Sequence, residues 1–299
     1  MVRNFLKYVE ITTKITSVFA YLNTMLFILY QRQPVNIKLM VIFFIAMFLF
    51  DLTTTAINNY IDSKDYPEML PIPRKRAFAA IIIMLSVSTL LGLYLAYNTG
   101  IVVLLLGAFC FLLGIFYTFG PIPISRIPLG EVISGIAYGM FIPFLMLYIN
   151  NPTYYLDLNL SWETISLQIH VMPFITFFLF SLVTTFTTAN IMLANNTCDI
   201  EKDTAVGRLT LAYYIGRKWA VRLYALLYYG TYASVALMVI CGFLKPVALI
   251  YFLSLPLVIK NIHEFRNAQI KEKTFITSIK NFLIINISYA ISILAATII

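Results

Sequence analysis

Charge is scarce in this sequence. Only 11% of its 299 residues are Asp, Glu, Lys or Arg, whereas 61% are hydrophobic. A soluble domain carries about 25% charged residues, because even a large core needs a solvated surface. A large soluble core is therefore excluded as the explanation for so much apolar sequence. Cysteine is scarce too. Cys110, Cys198 and Cys241 lie far apart and form no C-x-x-C pair, which argues against a disulfide framework or a zinc site. The two histidines, His170 and His263, stand singly in or near loops and read as solvated or interfacial groups, not catalysts. There is no low-complexity tract and no stretch polar enough to form a separate soluble unit. The reading is one integral membrane domain over 1–299.

Long apolar runs follow one another along the chain. A bilayer span needs about 20 mostly apolar residues, and nine runs qualify: 12–30, 36–57, 77–97, 101–119, 129–149, 171–193, 220–242, 246–261 and 281–298. They are continuously greasy, unlike the short alternating strands of a membrane barrel, so each is expected to be a helix. The expected fold is an all-α membrane protein with nine transmembrane helices around a central cavity. The first run is too long for a cleavable signal peptide and lacks a small-residue cleavage site.

A net charge of +8 could suggest nucleic acid in a soluble chain. Here its distribution reports orientation instead. With the N-terminus in the cytoplasm, Arg3, Lys7, Lys14, Lys64, Arg74, Lys75, Arg76, Arg126, Lys202, Arg208, Arg217, Lys218, Arg222, Lys260, Arg266, Lys271, Lys273 and Lys280 all fall inside. Only Arg32, Lys38 and Lys245 fall outside. Such a split follows the positive-inside rule and places residue 299 outside a multi-pass cell-membrane protein. The external segment 150–170 carries no Lys or Arg. It holds Asp157, Trp162 and Glu163, as an interfacial cap would.

Two polar clusters interrupt the grease. The first runs from Asn58 and Asn59 through Asp62 to Asp65, beginning while the second apolar run continues. Asp51, Thr55, Asn58 and Asp62 share one helical face, and Asp51 sits well inside the run. An ionisable group at membrane depth is costly and normally faces a cavity or partner. The second cluster holds Asn195, Asn196, Asp199 and Asp203 at the end of the sixth run, with Asn190 extending it inward. Carboxylate and amide oxygens suit hard cations. Mg²⁺ in particular takes one or two carboxylates and fills its other positions with phosphate and water. Facing clusters on one side of the membrane would clamp metal-bound diphosphate. Solvated acids at helix ends are the simpler explanation of either cluster alone, but not of two alike. Basic residues stand beside both: Arg74, Lys75 and Arg76 after the first, Lys202 and Arg208 after the second, with Lys14 and Arg126 on the same side. Some of these should bind diphosphate oxygens, although membrane orientation alone would also put them there.

At these residues the chain resembles the UbiA-type superfamily of intramembrane prenyltransferases, whose nine helices carry Asn/Asp-rich motifs after the second and sixth. The likeness extends to the 1,4-dihydroxy-2-naphthoate polyprenyltransferase branch through Tyr117-Thr118-Phe119-Gly120-Pro121 with Gly130-Glu131. It continues from Asn195-Asn196 through Asp199-Ile200-Glu201 and Asp203 to Gly207-Arg208 and Thr210-Leu211-Ala212. The resemblance implies Asn58, Asp62, Asn196, Asp199 and Asp203 as metal-site residues. Asp65 substitutes for the motif's last Asp, since position 66 is Tyr, and position 59 is Asn where the family usually has Asp. Asp62, Asp199, Asp203 and Tyr117 are then the catalytic candidates, with Tyr117 offering an aromatic face to an allylic cation. Lys14, Asn59, Arg74, Arg76, Arg126, Asn195, Lys202 and Arg208 are the candidate substrate contacts. The implied partners are Mg²⁺, a polyprenyl diphosphate whose tail lies in an apolar tunnel open to lipid, and an aromatic acceptor, with 1,4-dihydroxy-2-naphthoate giving demethylmenaquinone. Alternatives are 4-hydroxybenzoate or another phenol as acceptor, a cation transporter, and a non-catalytic scaffold. Transport is disfavoured because the acids cluster at helix ends instead of mid-depth.

Overall fold

The computed structural model describes residues 2–64, 67–120 and 123–299. Among them, nine helices are long and apolar enough to cross a membrane. They are α1 (Ile11–Tyr30), α2 (Ile37–Asp62), α3 (Arg74–Thr99), α4 (Ile101–Thr118), α5 (Gly130–Asn150), α6 (Val171–Cys198), α7 (Leu211–Ile240), α8 (Pro246–Asn267) and α9 (Ile276–Ile298). Because successive helices alternate in direction, the ends of α2, α4, α6 and α8 share a side with the starts of α1, α3, α5, α7 and α9. Both polar clusters lie at this end of the bundle.

Local chemistry sets several boundaries. Asn36 caps α2, its side-chain oxygen accepting from the Leu39 amide at 3.1 Å. Helix α2 then continues through the first cluster to Asp62. Helix α6 likewise runs to Cys198, past the expected end at residue 193, and a short helix follows at Ile200–Ala205. The expected loop 194–219 is therefore largely helical, since α7 starts at Leu211 and bends where Gly216 adopts φ 75°. Inside α5, a π-helical turn spans Ala137–Phe141 just before Pro143. Proline has no N–H to give the carbonyl four residues back, and the wider turn accommodates that loss. Gly139 lies in this turn. A Cβ there would come within 2.3 Å of the Thr185 backbone of α6, so only glycine permits the approach.

The segment expected as an external cap is a β-hairpin. Its strands Leu156–Leu160 (β1) and Ile165–Ile169 (β2) pair antiparallel, with Leu156 opposite Ile169 and Leu160 opposite Ile165. Tyr155 anchors it, donating to Gln31 Oε1 at 3.0 Å and accepting from Gln33 Nε2 at 2.7 Å.

Amides hold the helices together where lipid gives no hydrophobic drive between them. Asn23 of α1 donates to Asn286 of α9 at 3.1 Å, and Asn286 donates to Thr187 of α6 at 3.1 Å. Asn190 donates to the Tyr224 carbonyl of α7 at 3.0 Å. The expected inward extension of the second polar stripe is thus a helix–helix tie.

Candidate active site

The polar face of α2 divides in two. Its inner part is closed. Asp51 is 6% exposed, and its Oδ1 lies 2.9 Å from Lys14 Nζ and accepts from the Tyr138 hydroxyl at 2.8 Å. Its Oδ2 accepts from Ser17 at 2.6 Å. Lys14 is only 3% exposed and also donates to the Asp51 carbonyl and to Thr55. The sequence reading put Lys14 beside substrate. In the structure all three ammonium protons are taken within the protein, because a cation at this depth needs a local counter-charge.

The outer part of that face is open. Asp62 is exposed at the helix end, while Asn58 buries its Oδ1 without a partner among the described residues. Asn59 was expected to contact substrate. Instead its amide donates to the Tyr8 carbonyl at 2.8 Å and to Glu10 Oε1 at 3.2 Å, fastening the N-terminal segment to α2. Arg74 lies over the Tyr60 ring at 3.9 Å and reaches the Ser63 carbonyl at 3.3 Å. Arg76 is exposed, and Asp65 lies outside the described residues.

The end of α6 is a connected network. Asn196 donates to Glu131 Oε1 at 2.8 Å, and its own Oδ1 accepts from Arg208 at 3.3 Å and Asn195 at 3.4 Å. Arg208 also donates to the Ser125 carbonyl at 2.9 Å and approaches Asp203 Oδ1 at 3.8 Å. Asp199 Oδ2 meets Lys271 Nζ at 2.6 Å, and Lys271 bonds Asn195 as well. Lys202 lies 3.9 Å from Asp199 with a side chain 77% exposed, so water screens most of that attraction. Arg126 is exposed, and its carbonyl holds the Leu209 amide at 3.1 Å. Burial raises the Asp203 pKa, opposed by the Arg208 charge; Asp199 raises it further and Lys271 lowers it.

The Tyr117 phenol is within electrostatic reach of Arg208, Glu131 and Tyr138. Its buried hydroxyl has no hydrogen-bond partner among the described residues. Neither have Asn58 Oδ1, Glu131 Oε2 and Asp203 Oδ2. Each such oxygen costs about 1–3 kcal/mol unless something binds it. Oxygens of this kind are the ligands a hard cation takes. Among the described residues, no three His, Cys, Asp or Glu side chains gather closely enough to hold a metal by themselves. The fit is therefore to an ion completed by amide oxygens, phosphate and water. A depression of about 280 Å³ between α8 and α9, lined by Leu257, Lys260, Asn261, Lys280, Leu283 and Ile284, lies apart from both clusters.

Lys271 and the pairing of Asp51 with Lys14 were missed by sequence reasoning. Lys271 is one of several bases in its loop and nothing in the pattern distinguishes it. Glu131 entered only through a motif resemblance, yet it is 2% exposed and anchors Asn196.

The fold is that of a multi-pass membrane protein, with nine helices among the described residues long and apolar enough to span and acid–amide clusters gathered at one end. Residues 18–284 match the UbiA prenyltransferase family, and the chain belongs to it. It is 31% identical over 180 residues to the 1,4-dihydroxy-2-naphthoate octaprenyltransferase of Bacillus subtilis (strain 168), covering 60% of this chain and 52% of the relative. It is also 28% identical over 172 residues to UbiA prenyltransferase domain-containing protein 1 of Dictyostelium discoideum, covering 58% and 46%. The chain thus spans about half the length of these relatives. A UbiA homologue from Aeropyrum pernix K1 superposes with a TM-score of 0.67 at 18% identity, covering 93% of this chain and 96% of that one. One from Archaeoglobus fulgidus bound to GPP and Mg²⁺ gives 0.62 at 12% identity, covering 98% and 99%. At these identities the likeness is one of fold.

Proposed function

We propose that this protein transfers a polyprenyl group from its diphosphate to an aromatic acceptor, 1,4-dihydroxy-2-naphthoate first among the candidates. The observation that carries the reading is the network at the end of α6. There three carboxylates (Glu131, Asp199 and Asp203), two amides and two cations form one connected network, with Glu131 Oε2 and Asp203 Oδ2 unpaired among the described residues. The Bacillus subtilis relative favours the naphthoate, and the Archaeoglobus fulgidus neighbour supports Mg²⁺ with a prenyl diphosphate.

Asn58 and Asp62 on α2, extended by Asp65, and Asn196, Asp199 and Asp203 across the bundle are the residues that would hold Mg²⁺. When bound, Mg²⁺ neutralises diphosphate and makes it a better leaving group. Arg208 and Lys271 give charge-assisted bonds to the diphosphate oxygens, with Arg74, Arg76 and Lys202 at the rim. Tyr117 turns an aromatic face to the allylic cation. Asn195 sets the Lys271 ammonium, and Arg126 receives the acceptor carboxylate that is lost as the new bond forms. The charge distribution orients both clusters and the N-terminus to the cytoplasm and residue 299 outside.

The test is a competition in nanodiscs with Mg²⁺ and a polyprenyl diphosphate, offering the naphthoate and 4-hydroxybenzoate together. Selective prenylation of the naphthoate is expected. Selective use of 4-hydroxybenzoate overturns the acceptor, and failure with every aromatic overturns the activity.

A further inference from the structure

Asp51 is a carboxyl group that neither cluster uses. It lies eleven residues before the end of α2, about 16 Å into the helix at the usual rise. Ionisable side chains at such depth normally mark a functional path. Two other spans converge on its carboxylate, Lys14 and Ser17 from α1 and Tyr138 from α5, while within α2 Thr54 donates to the Asp51 backbone carbonyl and Thr55 accepts from Lys14. Both carboxylate oxygens are filled. Lys14 has no proton left to offer.

Tyr138 is different. Its hydroxyl gives its one proton to Asp51 and retains lone pairs to which no group donates among the described residues. It is half-buried and sits in the π-helical turn of α5, a geometry that recurs at functional sites. It is also within electrostatic reach of Tyr117, the aromatic wall assigned to the allylic cation. The vacant acceptor position of this closed network is therefore a phenol oxygen beside the reaction zone.

We propose that Tyr138 receives the proton of the acceptor's ring hydroxyl while passing its own to Asp51, with Ser17 and Lys14 as positioning residues. This rests on the transfer reaction proposed above. The aryl O–H bond breaks and its electron pair enters the ring. The ring carbon bonds to the allylic carbon, and the allylic C–O bond breaks with its pair leaving on diphosphate. In an acceptor carrying a carboxylate at the attacked carbon, the C–C bond to that carboxylate then breaks to release CO₂. Its pair restores the aromatic ring, and the proton returns from Asp51 through Tyr138 to the ring oxygen. The relay ends as it began, and no oxidant or other reactant is needed. A polar staple between α1, α2 and α5 would also explain the contacts, so the test must read chemistry instead of folding.

The experiment uses the full chain in nanodiscs with Mg²⁺, a polyprenyl diphosphate and a series of ring-substituted hydroxynaphthoates of graded hydroxyl acidity. Tyr138→Phe keeps the ring and removes the oxygen. Its kcat should fall on the order of 10²-fold or more for the least acidic acceptor. The deficit should shrink steadily as the acceptor becomes more acidic, with KM for the diphosphate unchanged. The paired variant Lys14→Met with Asp51→Asn leaves no unmatched charge and should show the same slope. A Tyr138→Phe deficit that is flat across the series, or absent, overturns the relay while leaving the prenyltransferase reading intact. Wild-type protein inactive on every acceptor overturns both.

Discussion

The ends of α2 and α6 carry similar residues and treat them in opposite ways. At the end of α6, Asp199 and Asp203 already face Lys271 and Arg208, and Asn196 is gripped by Glu131 and Arg208. At the end of α2, Asp62 is exposed and Asn58 leaves its oxygen unpaired among the described residues, while an ion pair of that helix lies deeper, at Asp51. A charge-balanced cluster holds its shape before any ligand arrives. An open one depends on the ligand to complete it. The α6 end thus has most of its charges paired within the protein, with Glu131 Oε2 and Asp203 Oδ2 the acceptors left over among the described residues. The α2 end leaves Asn58 Oδ1 unpaired among the described residues and Asp62 open.

The largest effect should come from the closed pair. Asp51→Ala leaves Lys14 charged and unmatched at membrane depth, a loss of about 3–5 kcal/mol of stability. A marked fall in the thermal midpoint in detergent would show it. An unchanged midpoint would mean that water reaches Lys14.

Next come the cluster carboxylates. Asp199→Ala and Asp203→Ala should each lower turnover on the order of 10²-fold or more, as expected when a preorganised electrostatic contact is lost from the transition state. Each also strands a cation, so the thermal midpoint should drop as well. Asp62→Ala should reduce turnover comparably yet leave the midpoint where it is, since Asp62 has no ion-pair partner among the described residues. Equal thermal shifts at both ends would erase the distinction between closed and open clusters. Chelation should silence the wild type, and added Mg²⁺ should restore it.

Much of the architecture is legible in the sequence because membrane helices are written in a strong code. All nine runs correspond to spans, and the misjudged boundaries have a common cause. Polar residues at 58–62 and 194–198 look like loop, but the helices continue through them, partly covered at 58–61 and mostly buried at 194–198. Arg217 and Lys218 obscured the start of α7, since charges within a helix end read as an exit from the membrane. The hairpin did leave a signal: Leu156, Leu158 and Leu160 alternate, as do Ile165, Leu167 and Ile169, although a search for apolar runs passes over period two. The candidate site was legible where its residues are local, as from Asn195 to Arg208. Pairings across the bundle were not. Lys271 stands 72 residues from Asp199, and Lys14 stands 37 from Asp51. Residue type alone does not select such partners from many bases on the same side.

The smallest effect sharpens the comparison within a single residue. Asp199 has two lysines beside it, and they differ in burial and distance. Lys271 makes a 2.6 Å contact from a largely covered side chain and shares Asn195, whereas Lys202 stands 3.9 Å away and mostly in water. A charge-assisted bond in a covered position contributes about 1.5–3 kcal/mol, so Lys271→Ala should raise KM for the prenyl diphosphate on the order of tenfold or more. An exposed pair contributes little because solvent screens it and its long side chain must be ordered, so Lys202→Ala should change KM by less than about twofold. Steady-state titration of the diphosphate at saturating Mg²⁺ and acceptor compares the two variants directly. The ranking should persist as salt is added, with the small Lys202 effect vanishing first. Equal effects would mean that Lys202 swings inward when substrate binds, and that the closed cluster at the end of α6 closes further.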